Sequence, residues 1–149
     1  MGRAILSVVV GYVVMFATIF LTFSGLYLLL GQELSFQPGS YAPSVLWTVA
    51  SFVLGVGAAV LGGCVCVRIA RTATPPKALA GVVLIIGLVF AVPVLMAAEK
   101  PAETRTGEVG NLDAMMKAKQ PGWVALANPF VGFAGVLLGG WLRRPTAAA

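Results

Sequence analysis

Four long apolar stretches without a single Asp, Glu, Lys, Arg or His restrict this chain more than any other feature; they occupy 4–30, 44–67, 78–98 and 122–142. As helices rising 1.5 Å per residue, each is long enough to cross about 30 Å of hydrocarbon. Inside a bilayer every backbone amide needs a partner within the protein, so a crossing segment is either a helix or part of a closed barrel. The stretches are continuously apolar rather than alternating, which selects helices. The expected fold is therefore all-α, a four-helix transmembrane bundle forming a single membrane domain over 1–149. Outer loops at 31–43 and 99–121 and a cytoplasmic loop at 68–77 connect the helices. The first stretch runs on through Phe20, Phe23 and Tyr27, past the point where a secretory leader would end in a small-residue cleavage site, so a retained helix is expected.

Charge sets the orientation. Only 10% of the chain is charged, with a formal net charge of +5. The basic residues stand singly or in pairs at segment ends, where they anchor helices rather than build a nucleic-acid surface. Arg3, Arg68, Arg71, Lys77, Arg143 and Arg144 fall on one side with no acid among them. The other side mixes Lys100, Arg105, Lys117 and Lys119 with Glu33, Glu99, Glu103, Glu108 and Asp113. Because basic loops stay in the cytoplasm, the first side is expected there together with both termini. A multi-pass protein of the cell membrane is therefore the expectation.

The link at 68–77 is short and contains Pro75 and Pro76, so the second and third helices are expected to be antiparallel neighbours. In the long outer loop, Asn111 is suited to cap a short helix whose Leu112, Met115, Met116 and Lys119 share a face; a solvated connector fits the same residues. Leu61-Gly62-Gly63 and Leu138-Gly139-Gly140 align the second and fourth helices, with Trp47 and Trp123 near matching positions. Two tandem helical hairpins inserted in the same direction would produce this pattern, as would convergence on residues common in membrane bundles.

Lipid tails are as apolar as Leu, so membrane helices associate through close packing and hydrogen bonds, and small residues mark the contacts. Ser51, Gly55, Ala59 and Gly63 recur every four positions, and Ala125, Asn128, Gly132, Gly135 and Gly139 alternate steps of three and four. Both faces are expected in the bundle core, so Gly55→Leu and Gly135→Leu should destabilise it. On the first helix Tyr12, Phe16, Phe20, Phe23 and Tyr27 lie roughly opposite Thr18, Thr22 and Gly25. The small face is expected inward; the aromatic stripe suits lipid or ordinary packing, and alternatively a grip on a hydrophobic ligand. Pro93 and Pro129 each remove a backbone donor at similar depth, and two kinks there would open an outward hollow. Asn128, beside the second proline, is the leading intramembrane polar residue for helix bonding or ligand contact.

Little catalytic chemistry is supported. Cys64 and Cys66 are the sole thiols, and two residues apart on a helix they point about 200° from each other, which disfavours a disulfide or shared metal. Histidine is missing altogether, and the spans lack the membrane carboxylate that a small multidrug-resistance exporter needs. The acids of the long outer loop read as solvated charges. No cofactor, metal site or catalytic residue is expected.

Gly62-Gly63 followed by Arg68, and Gly139-Gly140 followed by Arg143, resemble helix ends found in small uncharacterised bacterial four-span membrane proteins. The resemblance covers those two helix ends alone and implies no activity. The leading functional expectation is an accessory or structural membrane protein that packs with other helices or subunits, including copies of itself. The alternative is a small channel or carrier for a neutral or weakly charged solute, using Asn128 and the carbonyls freed near Pro93 and Pro129. A carrier requires a polar cavity past Asn128, whereas an accessory protein predicts a filled bundle.

Overall fold

The computed structural model describes residues 2–97, 110, 113 and 116–143. Four helices account for nearly all of them: α1 Gly2–Ser35, α2 Val45–Ala70, α3 Thr74–Ala97 and α4 Gly122–Leu142. Each contains a window apolar enough to cross a membrane, and no more than 33% of any such window is buried within the bundle. The outward surface is instead built from residues such as Phe16, Leu21, Leu29, Ile85 and Phe90, all more than half exposed. A bundle in water would turn a polar face outward. These helices turn hydrocarbon outward, and the chain is a multi-pass membrane protein.

The helix ends have local causes. α1 is interrupted at Gly31, whose φ of 66° is accessible to glycine at little cost, and this is where the apolar span finishes. Ser44 caps α2 by accepting the Trp47 amide at 3.0 Å, and Arg71, left-handed with φ 58°, closes it by donating its N–H to the Val67 carbonyl. The link to α3 is only 71–73, shorter than expected, because Pro75 and Pro76 lie in the first turn of α3. There the missing N–H groups would have had no helical partner. Arg3 reaches across from α1 and donates from Nε to the Ile69 carbonyl at 2.8 Å, satisfying an orphan acceptor of α2.

Packing departs from chain order. α1 lies chiefly on α2, α2 on α4, and α4 on α3, while α1 and α4 do not touch among the described residues. α2 and α3, expected as close neighbours, meet only slightly; α4 is the main partner of α3 and a principal partner of α2. Ascending residue pairs show the directions. Ala59 meets Gly135 and Gly63 meets Gly140, so α2 and α4 run parallel, as two hairpins inserted in one direction require.

Glycines make this central contact close. A Cβ on Gly63 would collide with the Val136 carbonyl oxygen, and one on Gly139 would collide with the Val60 carbonyl oxygen. The contacts are reciprocal, and they relate Gly63 to Gly139 and Val60 to Val136. Matching the Leu-Gly-Gly triplets pairs Gly63 with Gly140 instead, so the register in space is one residue from the register of the motif. Gly140 turns to α3 and meets Pro76, while Gly62 turns to α1 and meets Gly11. With Leu79, Ala80, Val136 and Cys66 filling the remaining space, this half of the bundle, which ends in Arg3, Arg68, Arg71, Lys77 and Arg143, is tightly closed.

The opposite end is built from rings. Phe36 and Pro43 form an antiparallel bridge around a turn at Gly39, and the Gln37 amide bonds the Ala42 carbonyl at 2.9 Å. This small hairpin carries Phe36 and Tyr41 into an edge-on cluster with Tyr27, Trp47 and Phe23, centroids 5.8–6.3 Å apart from one ring to the next. Lys119 ties the second connector to it through its amide, 3.0 Å from the Tyr41 carbonyl, and Lys117 sits 5.8 Å from the Tyr41 ring centre. Of the short helix expected after Asn111, Asp113, Met116 and Lys117 are helical and exposed; Asn111, Leu112 and Met115 lie outside the described residues.

Candidate binding cleft

Between the closed end and the aromatic end the four helices part around a cleft of about 540 Å³. Tyr12, Met15, Ile19 and Phe23 wall it on α1, and Trp47 to Ala59 on α2; α3 contributes Val83 to Val94 and α4 Val124 to Gly132. Along α2 that is about 18 Å of depth at the helical rise. Pro43, Ala118 and Gln120 stand at its mouth. The closed half forms the floor, where Met15, Ala59 and Val83 are buried.

Polarity is graded along the cleft. Gln120, Thr48, Ser51 and Asn128 lie toward the mouth, whereas the floor is apolar apart from Tyr12. Thr48 and Ser51 already donate to the Ser44 and Trp47 carbonyls at 2.9 and 2.7 Å, which leaves their oxygens as acceptors. Asn128 is exposed, and among the described residues its amide makes no hydrogen bond. It follows Gly122 by six residues, which puts it roughly 9 Å inside the span. A primary amide at that depth retains donors and an acceptor that hydrocarbon cannot satisfy. Among the described residues no charged side chain lines the cleft.

The residues expected to act together divide between closed half and cleft. Ala59, Gly63, Gly135 and Gly139 form the α2–α4 contact, and Gly132 packs on Val83 of α3. Gly55 and Ser51 belong to the cleft wall instead, and a Cβ on Gly55 meets nothing within 4 Å. Pro129 is buried on Gly87, and its missing N–H removes the usual donor to the Ala125 carbonyl; both residues border the cleft. Pro93 does not join them: it lies exposed on α3, outside the lining. Among the described residues Asn128 has no bond to a neighbouring helix, while it does border the cleft.

The inward face of α1 also differs from expectation. In the membrane-spanning part Ser7, Gly11 and Met15, four residues apart, are buried toward the closed half, and Tyr27 and Ser35 are buried at the aromatic end. Gly25 faces open space, and Thr18 and Thr22 donate back to the Val14 and Thr18 carbonyls within their own helix. From the aromatic stripe, Tyr12 and Phe23 border the cleft, Tyr27 is buried in the ring cluster, and Phe16 and Phe20 face outward. The two thiols point to different helices: Cys64 Sγ is 3.4 Å from the Gly139 carbonyl on α4, and Cys66 Sγ is 3.7 Å from Ser7 Oγ on α1. Among the described residues no three His, Cys, Asp or Glu side chains gather into a metal-binding group.

The missed elements carried some signal. Pro38-Gly39 between Phe36 and Tyr41 is a turn flanked by aromatics, which marks the ring-bearing hairpin. Gly11 stands between Val8-Val9-Val10 and Tyr12-Val13-Val14, a single small residue among bulky neighbours, as a close-contact glycine does. No known protein family, curated protein or solved structure matches the chain.

Proposed function

We propose that this chain is an accessory membrane protein that acts by binding, with the closed half as a rigid anchor on the cytoplasmic side and the cleft as its receptor for an apolar group. The orientation rests on the arginine-rich end. The observation that carries the reading is the cleft itself, roomy along one half of the bundle and stopped by backbone-to-backbone packing in the other; the bundle is not the filled one expected of a purely structural protein, so the accessory role becomes one of binding. Its volume lies within the roughly 300–1,000 Å³ of small-ligand sites, and its walls are apolar with a few polar groups, the usual composition of such sites. Intact-mass analysis of the protein purified in native nanodiscs tests it. A species retained by the wild type and lost from Gly55→Leu, which fills the cleft, is the expected result; identical occupancy of both would defeat the reading.

A carrier is the second reading, favoured by the unbonded Asn128 amide. The glycine contacts leave no route through the closed half in this conformation, so transport would require them to part. Liposome flux measures this directly. Passage of a neutral solute by the wild type, abolished by Asn128→Leu, would replace the accessory reading with the carrier.

A further inference from the structure

We infer that the cleft takes a neutral lipophile with a hydrocarbon chain and one hydrogen-bonding oxygen, the oxygen held at Asn128 and the chain lying over the floor formed by Met15, Ala59 and Val83. The inference rests on the binding role proposed above and names its ligand class. Three observations select that class. First, among the described residues the walls carry no charge, so an ionised head seated at the depth of Asn128 would have no counter-ion among them, where that is costly. Second, polarity is graded, with Asn128, Ser51, Thr48 and Gln120 toward the mouth and apolar side chains toward the floor. A molecule with one polar end matches that gradient, whereas a plain hydrocarbon leaves the Asn128 amide unsatisfied.

Third, the cleft is narrow. Spread over about 18 Å of depth, its volume amounts to a section of roughly 30 Å² for the centre of a water molecule and about 60 Å² with that molecule's own radius added, while a helix with side chains, 10–12 Å across, needs about 80 Å² or more. A partner helix therefore fits outside this space and not within it. A single chain fits, and its remainder can leave sideways between α1 and α3, which touch far less than the three pairs packed along their length. In a bilayer the surrounding medium is already hydrocarbon, so a chain enters without losing solvation, and the gain comes from close contact with the walls and the bond to Asn128.

Two photoreactive probes distinguish the alternatives: a long-chain alcohol and the corresponding alkane, each bearing a diazirine, incorporated into phosphatidylcholine nanodiscs with the full-length protein and mapped by peptide mass analysis. Labelling by the alcohol is expected to concentrate on Ile19, Val83 and Ile86 over the lipid-facing Phe16 and Leu29. Gly55→Leu should lower labelling of the cleft residues about tenfold and leave Phe16 and Leu29 unchanged, with Gly55→Ala as a milder variant and thermal denaturation confirming that both fold. Asn128→Leu should weaken the alcohol roughly threefold to tenfold, the span of a membrane hydrogen bond, without weakening the alkane. Alcohol labelling that ignores both substitutions overturns the ligand. If it does so while Gly55→Leu still strips a bound species in the nanodisc experiment, the binding role stands and only the lipophile falls; if Gly55→Leu changes neither, both fall.

Discussion

The two halves of this bundle draw on similar small residues and reach opposite results. Toward the arginine-rich end, Gly62, Gly63, Gly139 and Gly140 bring backbones into contact with three different neighbours. Toward the aromatic end, Gly55 and Ser51 continue the same ridge of α2 yet border open volume. The difference lies in what stands beside the ridge. Phe52 and Trp123 stack with centroids 6.0 Å apart at the α2–α4 flank, and Phe23 and Trp47 meet edge-on between α1 and α2. Rings of that size act as spacers, and the space behind them is left for something other than this chain's own side chains.

Substitutions can break or sharpen that contrast. The largest effect is expected for Gly139→Leu and Gly63→Leu, since each new side chain begins on a carbonyl oxygen of the facing helix. A loss of about 3 kcal/mol or more, read as unfolding at much lower temperature in detergent, follows from overpacking that only backbone movement can relieve; near-normal melting would mean the halves are not differently packed. Trp47→Ala comes next. It removes edge contacts to Phe23 and Tyr27 at the spacer end, with an expected loss of about 2 kcal/mol. If the rings hold the cleft open, this variant should also lose the alcohol probe.

Gly11→Ala should cost about 1 kcal/mol, because its Cβ would lie 2.9 Å from a movable Leu79 methyl but also 3.0 Å from the Gly62 carbonyl oxygen. The smallest change is expected for Gly55→Leu, whose melting temperature should equal or slightly exceed the wild type as helix propensity improves and the side chain enters the cleft. A marked loss of stability there would restore the uniform glycine seam suggested by residue spacing.

Much of the architecture is legible in the residues because the bilayer leaves few options. Four uncharged stretches locate the helices, and four successive crossings already require α2 and α4 to run the same way. Spacing alone misses what depends on a facing helix. Gly55 and Gly63 are indistinguishable along α2, and only the position of α4 makes one a contact and the other a wall. The same holds for α1, where Ser7, Gly11 and Met15 form the inward face although Thr18, Thr22 and Gly25 look equally suitable. Of the two prolines Pro129 borders the cleft and Pro93 does not, because depth in a span does not say which side of the helix a residue occupies. Asn128 was identifiable as the principal polar residue of the spans, yet its lack of a bond emerges only once neighbouring helices are in place.

The parallel pairing of α2 and α4 also dictates an order of assembly. α1 and α2 are consecutive and antiparallel, so they can join as soon as both have been inserted during synthesis. The Gly63–Gly139 contact joins segments separated by the whole of α3 and the long connector, and it must wait until the last helix is in the bilayer. A ribosome halted before α4 would leave the glycine ridge of α2 facing lipid, complementary to any other small-residue helix nearby. Completion of the chain thus coincides with concealment of its most adhesive surface, which gives membrane quality control a clear mark by which to distinguish a finished molecule from an unfinished one.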